Sequence, residues 1–214
     1  MLFIDSFTDR ALELVELPIF DGITTNPTIL KRDREGWGFE KAVEVLSETD
    51  ADNFVQGSLK NDKWVKILKN KISTGKLDPS KLTIKLPWTS SEAAKYVKVL
   101  KDMGLKVCAT AVYTHEQCYT AVMCKVDYAA VYYNRMKQNG IDADKIISEM
   151  VQLTNIPESN TRILAASIKE VSTANKLLLA GVPDLTLPLD VVEKYLEVEY
   201  PENDWEVFEK DFRI

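Results

Sequence analysis

Eight short runs of β-branched and aliphatic residues recur along this 214-residue chain, and a longer segment with helical spacing follows each of them. The runs are Leu2 to Asp5, Gly22 to Thr25, Asn53 to Gln56, Leu82 to Leu86, Val107 to Val112, Tyr128 to Tyr133, Ile163 to Ser167 and Asp184 to Leu187. Between them, segments such as Phe39 to Leu46 and Glu92 to Met103 place apolar residues three and four apart with charges on the other side, the pattern of surface helices. Strands alternating with helices predict a parallel sheet covered by helices. Eight units in this length give about 27 residues each, near the roughly 30 that a strand, helix and crossover need. Eight even units predict one closed (β/α)8 TIM barrel. An open doubly wound sheet would announce its ligand site with a glycine-rich first turn, and none of the eight glycines stands in a G-x-G-x-x-G or P-loop pattern. No low-complexity tract divides the chain, so residues 1–214 read as a single domain. After Pro201, Asn203 or Asp204 can cap an additional C-terminal helix, about 203–213, whose Trp205, Phe208 and Phe212 share one face. That face either packs on its own barrel or lies against another copy of the chain, which leaves a homo-oligomer open.

Composition narrows the partners. With 27 basic and 33 acidic residues the net charge is −6, so the chain offers no basic footprint for nucleic acid or an anionic membrane. No run approaches the eighteen or so apolar residues of a transmembrane helix, and the start of the chain has no basic leader. Three cysteines, Cys108, Cys118 and Cys124, are too few and odd in number for a disulfide framework and point to free thiols in the cytoplasm. The single histidine, His115, cannot furnish a histidine-rich metal site or most histidine-based triads. No metal is expected, and catalysis must use other groups.

In a barrel of this kind the chemistry collects where the strands end on their carboxyl side. The last polar residues of the runs are Asp5, Thr25 with Asn26, Gln56, Lys85, Thr110, Tyr132 and Ser167, while the eighth run ends apolar at Leu187. Seven of eight strand ends aiming a polar group at one mouth exceeds what a solvated rim requires. In Leu82-Thr83-Ile84-Lys85-Leu86, alternation sets Thr83 and Lys85 opposite the three aliphatics. If the aliphatics face the helices, Lys85 points into the barrel, where partial desolvation favours the neutral amine. Moving a lysine from about 10.4 to near 7 takes about 4 kcal/mol of differential solvation. A neutral amine can attack a carbonyl to give an imine, whose cationic nitrogen draws electrons from the adjacent carbon–carbon bond. The alternative is a lysine that reaches solvent or pairs with a carboxylate such as Asp5. Tyr132 offers a phenol able to pass protons through a water held by Gln56 and Thr110. Adjacent strand residues face opposite ways, so Tyr133 competes with it for the inward position. Asp5 can accept a substrate hydroxyl proton, stabilise the cationic nitrogen, or merely cap the next helix. Arg135, Ser167 and Lys169 suit a phosphate on the substrate. His115 and Cys108 read as structural.

These residues fall in segments that match a known family. Gly22-Ile23-Thr24-Thr25-Asn26-Pro27-Thr28-Ile29-Leu30 resembles the first signature of the transaldolase family, and Ile84-Lys85-Leu86-Pro87-Trp88-Thr89 resembles its lysine segment. The resemblance continues through Ala109 to Tyr113, Tyr133-Asn134-Arg135, Ala165 to Lys169 and Thr186 to Asp190, in order over nearly the whole chain. Within the family the chain is most similar to the small fructose-6-phosphate aldolase and transaldolase-like subgroup. The resemblance implies a cofactor-free mechanism with Lys85 as the imine-forming lysine and Asp5 acting on the substrate hydroxyl whose proton leaves. It implies that Asn26 holds a bound ketose and that Arg135, Ser167 and Lys169 receive its phosphate. A decamer of two pentameric rings, with C-terminal helices crossing between subunits, is implied as well. Gln56 and Tyr132 match the aldolases, whereas classical transaldolases carry glutamate and phenylalanine there. Trp88, Glu92 and Val131-Tyr132-Tyr133 depart from the usual pattern. The indole of Trp88 either narrows the donor pocket or packs beneath a loop.

Overall fold

A computed structural model describes residues 1–89, 91–157, 159–197 and 204–212. Its strands are β1 (Leu2–Ile4), β2 (Gly22–Ile23), β3 (Asn53–Gln56), β4 (Leu82–Pro87), β5 (Lys106–Val112), β6 (Tyr128–Tyr132), β7 (Arg162–Ala166) and β8 (Asp184–Leu187). They pair in parallel in the order β2-β1-β8-β7-β6-β5-β4-β3, and a parallel bridge from Thr24 to Phe54 joins the two ends of that series. The ring closes, and the fold is a single (β/α)8 barrel. The helices are α1 (Asp9–Leu14), α2 (Pro27–Asp33), α3 (Phe39–Leu46), α4 (Lys63–Ser73), α5 (Ser91–Asp102), α6 (His115–Met123), α7 (Tyr133–Gln138), α8 (Ala143–Thr154), α9 (Val171–Leu179), α10 (Leu189–Leu196) and α11 (Asp204–Asp211).

The period of two in each strand divides the core into two layers. Ile4, Ile23, Val55, Ile84, Leu86, Val107 and Ala109 turn outward and pack against the helices. Phe3, Phe54, Cys108, Tyr128, Ala130 and Leu164 turn inward, with Tyr132 packed on them. Phe3, Phe54 and Tyr128 meet with ring centroids 5.0 to 6.3 Å apart and steep interplanar angles, the edge-to-face arrangement that aromatic quadrupoles favour. The middle of the barrel is therefore filled. At its amino-terminal end, Asp184, fully buried, accepts from Arg162 Nε and Nη2 at 2.6 Å each, and Lys106 pairs with Asp52 at 2.7 Å.

Local signals set several boundaries. Thr8, Asn26, Thr114 and Asp142 accept from the first amides of α1, α2, α6 and α8, satisfying donors that a helix start leaves open. At Gly22 an added Cβ would stand 1.7 Å from the Asp52 carbonyl oxygen, so β2 can pass that loop only with glycine. The additional C-terminal helix is present as α11, inside the expected 203–213, while positions 203 and 213 and the Trp205 side chain lie outside the described residues. Phe208 and Phe212 are 70% and 72% exposed, so neither ring packs on the barrel.

Candidate active site

The mouth lies at the carboxyl ends of the strands. On β4 the aliphatics do face the helices, and Lys85 turns inward with 3% exposure. Its register neighbours are Gln56 on β3 and Cys108 on β5. Burial pushes the Cys108 thiol up to about 12, against the pull of the nearby Lys85 charge. One layer deeper, Thr83 Oγ1 is buried without a hydrogen-bond partner among the described residues.

Asp5 follows β1, and its Oδ1 accepts from Thr24 Oγ1 at 2.8 Å. Thr24 Oγ1 also lies 2.6 Å from Thr186 Oγ1. A hydroxyl has one proton, so with Thr24 donating to Asp5 the second bond runs from Thr186 to Thr24. The relay Thr186–Thr24–Asp5 orients the carboxylate from two neighbouring strands. Neither threonine stands out as a site residue in the sequence, because the residue that ends the eighth run is Leu187. Alternation in Asp184-Leu185-Thr186-Leu187 is the signal that places Thr186 on the inner face.

The loop after β1 is held from the far end of α2. The Asp33 carboxylate accepts from Ser6 Oγ at 2.9 Å and from the Phe7 amide at 2.8 Å, and pairs with Arg32. Arg34 Nε donates to the Phe7 carbonyl at 2.7 Å. Burial works to raise the Asp33 pKa, but hydrogen bonds from Arg32, the Phe7 amide and Ser6 together hold it below the usual aspartate value.

Tyr132, not Tyr133, faces the mouth. Thr110 Oγ1 donates to the Tyr132 hydroxyl at 3.2 Å, which leaves the phenolic proton to be given elsewhere. The Arg135 guanidinium carbon stands 4.9 Å from the centroid of the Tyr132 ring, and the Tyr113 ring meets it edge-on at 5.9 Å. Tyr133 instead opens α7 in the outer layer and donates to Asp144 at 2.6 Å. Burial, followed by that bond, raises its pKa.

Thr110 owes its place to an irregularity. Between Ala109 and Val112, β5 holds one more residue than the facing stretch of β6, a bulge of the kind found beside active sites. Ala111 has φ 59 and Ser167, just after β7, has φ 60, left-handed values that cost non-glycine residues about 1–3 kcal/mol each. Gln117 braces the first of these. Its Nε2 donates to the Trp88 carbonyl at 2.9 Å and to the Ala111 carbonyl at 3.4 Å, and its Oε1 accepts from the Tyr113 amide at 2.8 Å. Trp88 itself is 1% exposed, with its indole donating to Thr120. It packs beneath the loop and does not narrow the mouth.

Asn26, Gln56, Thr110, Tyr132 and Arg135 together line a cavity of about 320 Å³. Asn26 uses its Oδ1 to cap α2, leaving its amide NH2 to donate. Asp5 and Lys85 do not form this cavity's wall, and Thr25 lines an adjoining one. Ser167 is half-buried at the end of β7, joined to α7 through the Asn134 amide, and Lys169 is exposed; neither lines the cavity. Among the described residues no group of three or more His, Cys, Asp or Glu side chains is placed to hold a metal ion, and no helix is long and apolar enough to cross a membrane.

A closed parallel barrel with Asp5, Lys85, Thr110 and Tyr132 at or just beyond the carboxyl ends of its strands has the architecture of a barrel enzyme. The model of the transaldolase/fructose-6-phosphate aldolase family matches residues 42–214, from within α3 onward. A curated protein of Streptococcus pneumoniae, described as a probable fructose-6-phosphate aldolase, is 33% identical over 172 residues, covering 80% of this chain and 77% of that one. The chain belongs to the transaldolase/fructose-6-phosphate aldolase family and is an enzyme of aldolase or transaldolase type. Among solved structures, the EAL domain of Xanthomonas citri FimX, in complex with c-diGMP, superposes with a TM-score of 0.56 at 11% identity over 73% of this chain and 69% of that one. That likeness concerns the barrel fold alone.

Proposed function

We propose that this enzyme is a cofactor-free aldolase that reversibly cleaves fructose 6-phosphate to dihydroxyacetone and glyceraldehyde 3-phosphate through an imine on Lys85. The observation that carries this reading is a lysine with 3% exposure on the inner face of β4 in a member of this family. The Lys85 amine adds to the ketose carbonyl, and loss of water leaves a protonated imine. Asp5, oriented by Thr24 and Thr186, takes the hydroxyl proton as the carbon–carbon bond breaks, and the electron pair moves onto the imine. Glyceraldehyde 3-phosphate departs. A water served by Gln56, Thr110 and Tyr132 then protonates the enamine carbon, and hydrolysis frees dihydroxyacetone and Lys85. Asn26 holds the ketose hydroxyls, with Thr25 beside it. Arg135, Ser167 and Lys169 receive the phosphate, Arg135 from the wall of the cavity.

Gln56 and Tyr132 favour release of the three-carbon fragment over its transfer, since a phenol beside the water speeds enamine protonation. The competing reading is a transaldolase that hands the fragment to an aldose phosphate such as erythrose 4-phosphate. Borohydride with fructose 6-phosphate should trap an adduct that peptide mapping locates at Lys85, and Lys85→Arg should form none. Free dihydroxyacetone should appear without any acceptor; strict dependence on erythrose 4-phosphate would establish the transaldolase instead. Tyr132→Phe should shift the product ratio toward transfer, and an unchanged ratio removes Tyr132 from the protonation of the enamine.

The same reading makes residues 1–214 one domain acting in the cytoplasm on a sugar phosphate of the pentose phosphate pathway, with no nucleic-acid or membrane partner. The exposed Phe208 and Phe212 on α11 support a homo-oligomer, the decamer of two pentameric rings that the resemblance implies.

A further inference from the structure

Gln117 does not line the mouth cavity, yet this one amide on α6 holds the ends of two strands that do. Its Oε1 accepts from the Tyr113 amide at 2.8 Å and from the Thr114 amide at 3.3 Å. The second of these bonds, with Thr114 Oγ1 accepting from the Gln117 amide, completes a capping box at the start of α6. A glutamate would serve that box equally well. The Nε2 group is the part that the helix start does not need. It donates at 2.9 Å to the carbonyl of Trp88, three residues past Lys85, and at 3.4 Å to the Ala111 carbonyl. The Trp88 amide in turn donates to the Thr110 carbonyl at 2.8 Å, so the end of β4 and the bulge of β5 are closed into one ring of hydrogen bonds. Ala111 needs such a hold, because its φ of 59 is a strained state for a residue with a Cβ.

We infer that Gln117 is a positioning residue for the proton transfer at Tyr132. The inference rests on the reading of Lys85 as the imine-forming residue and of Tyr132 as the phenol that serves the enamine. Two side chains from β5 and its exit touch Tyr132: Thr110 donates to its hydroxyl at 3.2 Å, and the Tyr113 ring meets its ring edge-on at 5.9 Å. Both belong to the stretch that Gln117 grips, Tyr113 through its own amide and Thr110 through the carbonyl of its neighbour Ala111. Without the Nε2 donor Ala111 is free to relax toward a negative φ, and rotation there re-aims Thr110 on one side and Tyr113 on the other. The phenol then loses the bond that leaves its proton available. Lys85 is spared, since it lies inside β4 and is paired with β3 and β5 on both sides.

The test uses the whole chain with dihydroxyacetone alone and separates two events at one site. Dihydroxyacetone condenses with the Lys85 amine, releasing water, and borohydride supplies the hydride that reduces the imine carbon to a secondary amine read by mass; this reports imine formation. In D2O the protonated imine loses a proton from its α-carbon to water, giving the enamine, and return of a deuteron to that carbon followed by hydrolysis gives labelled dihydroxyacetone, read by NMR. That exchange reports the proton transfer. Gln117→Glu keeps the acceptor of the capping box and removes the donor. It should slow exchange about tenfold, below the roughly hundredfold that a misplacement of about 1 Å can cost, and leave trapping unchanged. Combined with Tyr132→Phe it should slow exchange no further than Tyr132→Phe alone, since both act through one phenol. Gln117→Met, of similar length and without a donor, should give the same pattern and serves as an independent variant should the glutamate fold poorly. Trapping and exchange that fall together, exchange untouched by these variants or by Tyr132→Phe, or an additive loss in the double variant overturns the positioning role and spares the lysine. A wild-type chain that forms no adduct overturns the lysine reading and this inference together.

Discussion

Asp33 ties the loop that follows β1 to the end of α2, and cutting this tie to alanine has a cost that can be worked from its partners. Phe7 is fully buried, so its amide would lose a charged acceptor with no water to replace it, about 1–3 kcal/mol. Ser6, 1% exposed, keeps a contact with Thr8 Oγ1 at 3.4 Å and loses less. The Arg32 pair adds little, since the Arg32 side chain is 59% exposed and such pairs contribute below about 1 kcal/mol. Asp33→Ala should therefore destabilise by about 2–4 kcal/mol, read as a fall in urea midpoint at unchanged slope. Asp33→Asn keeps one oxygen for the Phe7 amide and should lose about half as much. Because Asp5 sits at the root of this loop, both variants should lower turnover more than substrate affinity. A loss under about 1 kcal/mol for alanine, or equal losses for the two variants, would refute the account of the carboxylate as the acceptor that matters.

The same residue gives a pH dependence. Asp33 has a folded pKa held below its unfolded value by Arg32, Phe7 and Ser6, against burial; its stabilisation is full above the ordinary aspartate range near 4 and is lost as pH falls through the folded value. Asp33→Asn should flatten the acid limb of the stability curve, and an unchanged limb assigns acid unfolding to other carboxylates. At the closed end of the barrel, Asp184→Ala strands the Arg162 guanidinium, but that side chain is 46% exposed and water can reach it. The expected loss is about 2–3 kcal/mol, at the lower edge of the range for broken buried pairs, and a calorimetric loss above about 5 would contradict that solvation argument. Burial pushes the Cys118 thiol up to about 12, as it does Cys108, while Cys124 is only partly covered. A thiol-specific disulfide reagent at pH 8 should modify Cys124 alone in the native protein and all three thiols in denaturant; rapid loss of Cys108 from the native protein would show the inner barrel to be open.

The barrel is legible in the sequence because eight alternating runs leave few other ways to bury their apolar faces. The inward turn of Lys85 follows from three aliphatics on the opposite side of one strand, a pattern that spacing alone carries. Spacing leaves Tyr132 and Tyr133 undecided, because β6 ends between them and the change from strand to helix, not alternation, sends Tyr133 outward. Asn26 reads as a substrate ligand, and its capping of α2 emerges only in the folded chain, though an Asn followed by Pro is itself a helix-start signal. The Asp33 tie joins positions 26 and 27 residues apart, which no periodicity reports. Thr24 and Thr186, separated by 162 residues, meet only because β1 stands between β2 and β8.

The extra residue in β5 makes chain length as restrictive as residue type in this stretch. Removing Ala111 would leave an unbroken ladder, with Thr110 opposite Ala130 and Val112 still opposite Val131, so the layer beneath the helices would be undisturbed. The aim of the strand end would change instead. Drawn flat into the ladder, Thr110 would lose the tilt that brings its hydroxyl to Tyr132. Gln117 would lose a carbonyl it now holds. A single deletion would thus disarm the mouth of a barrel that goes on folding.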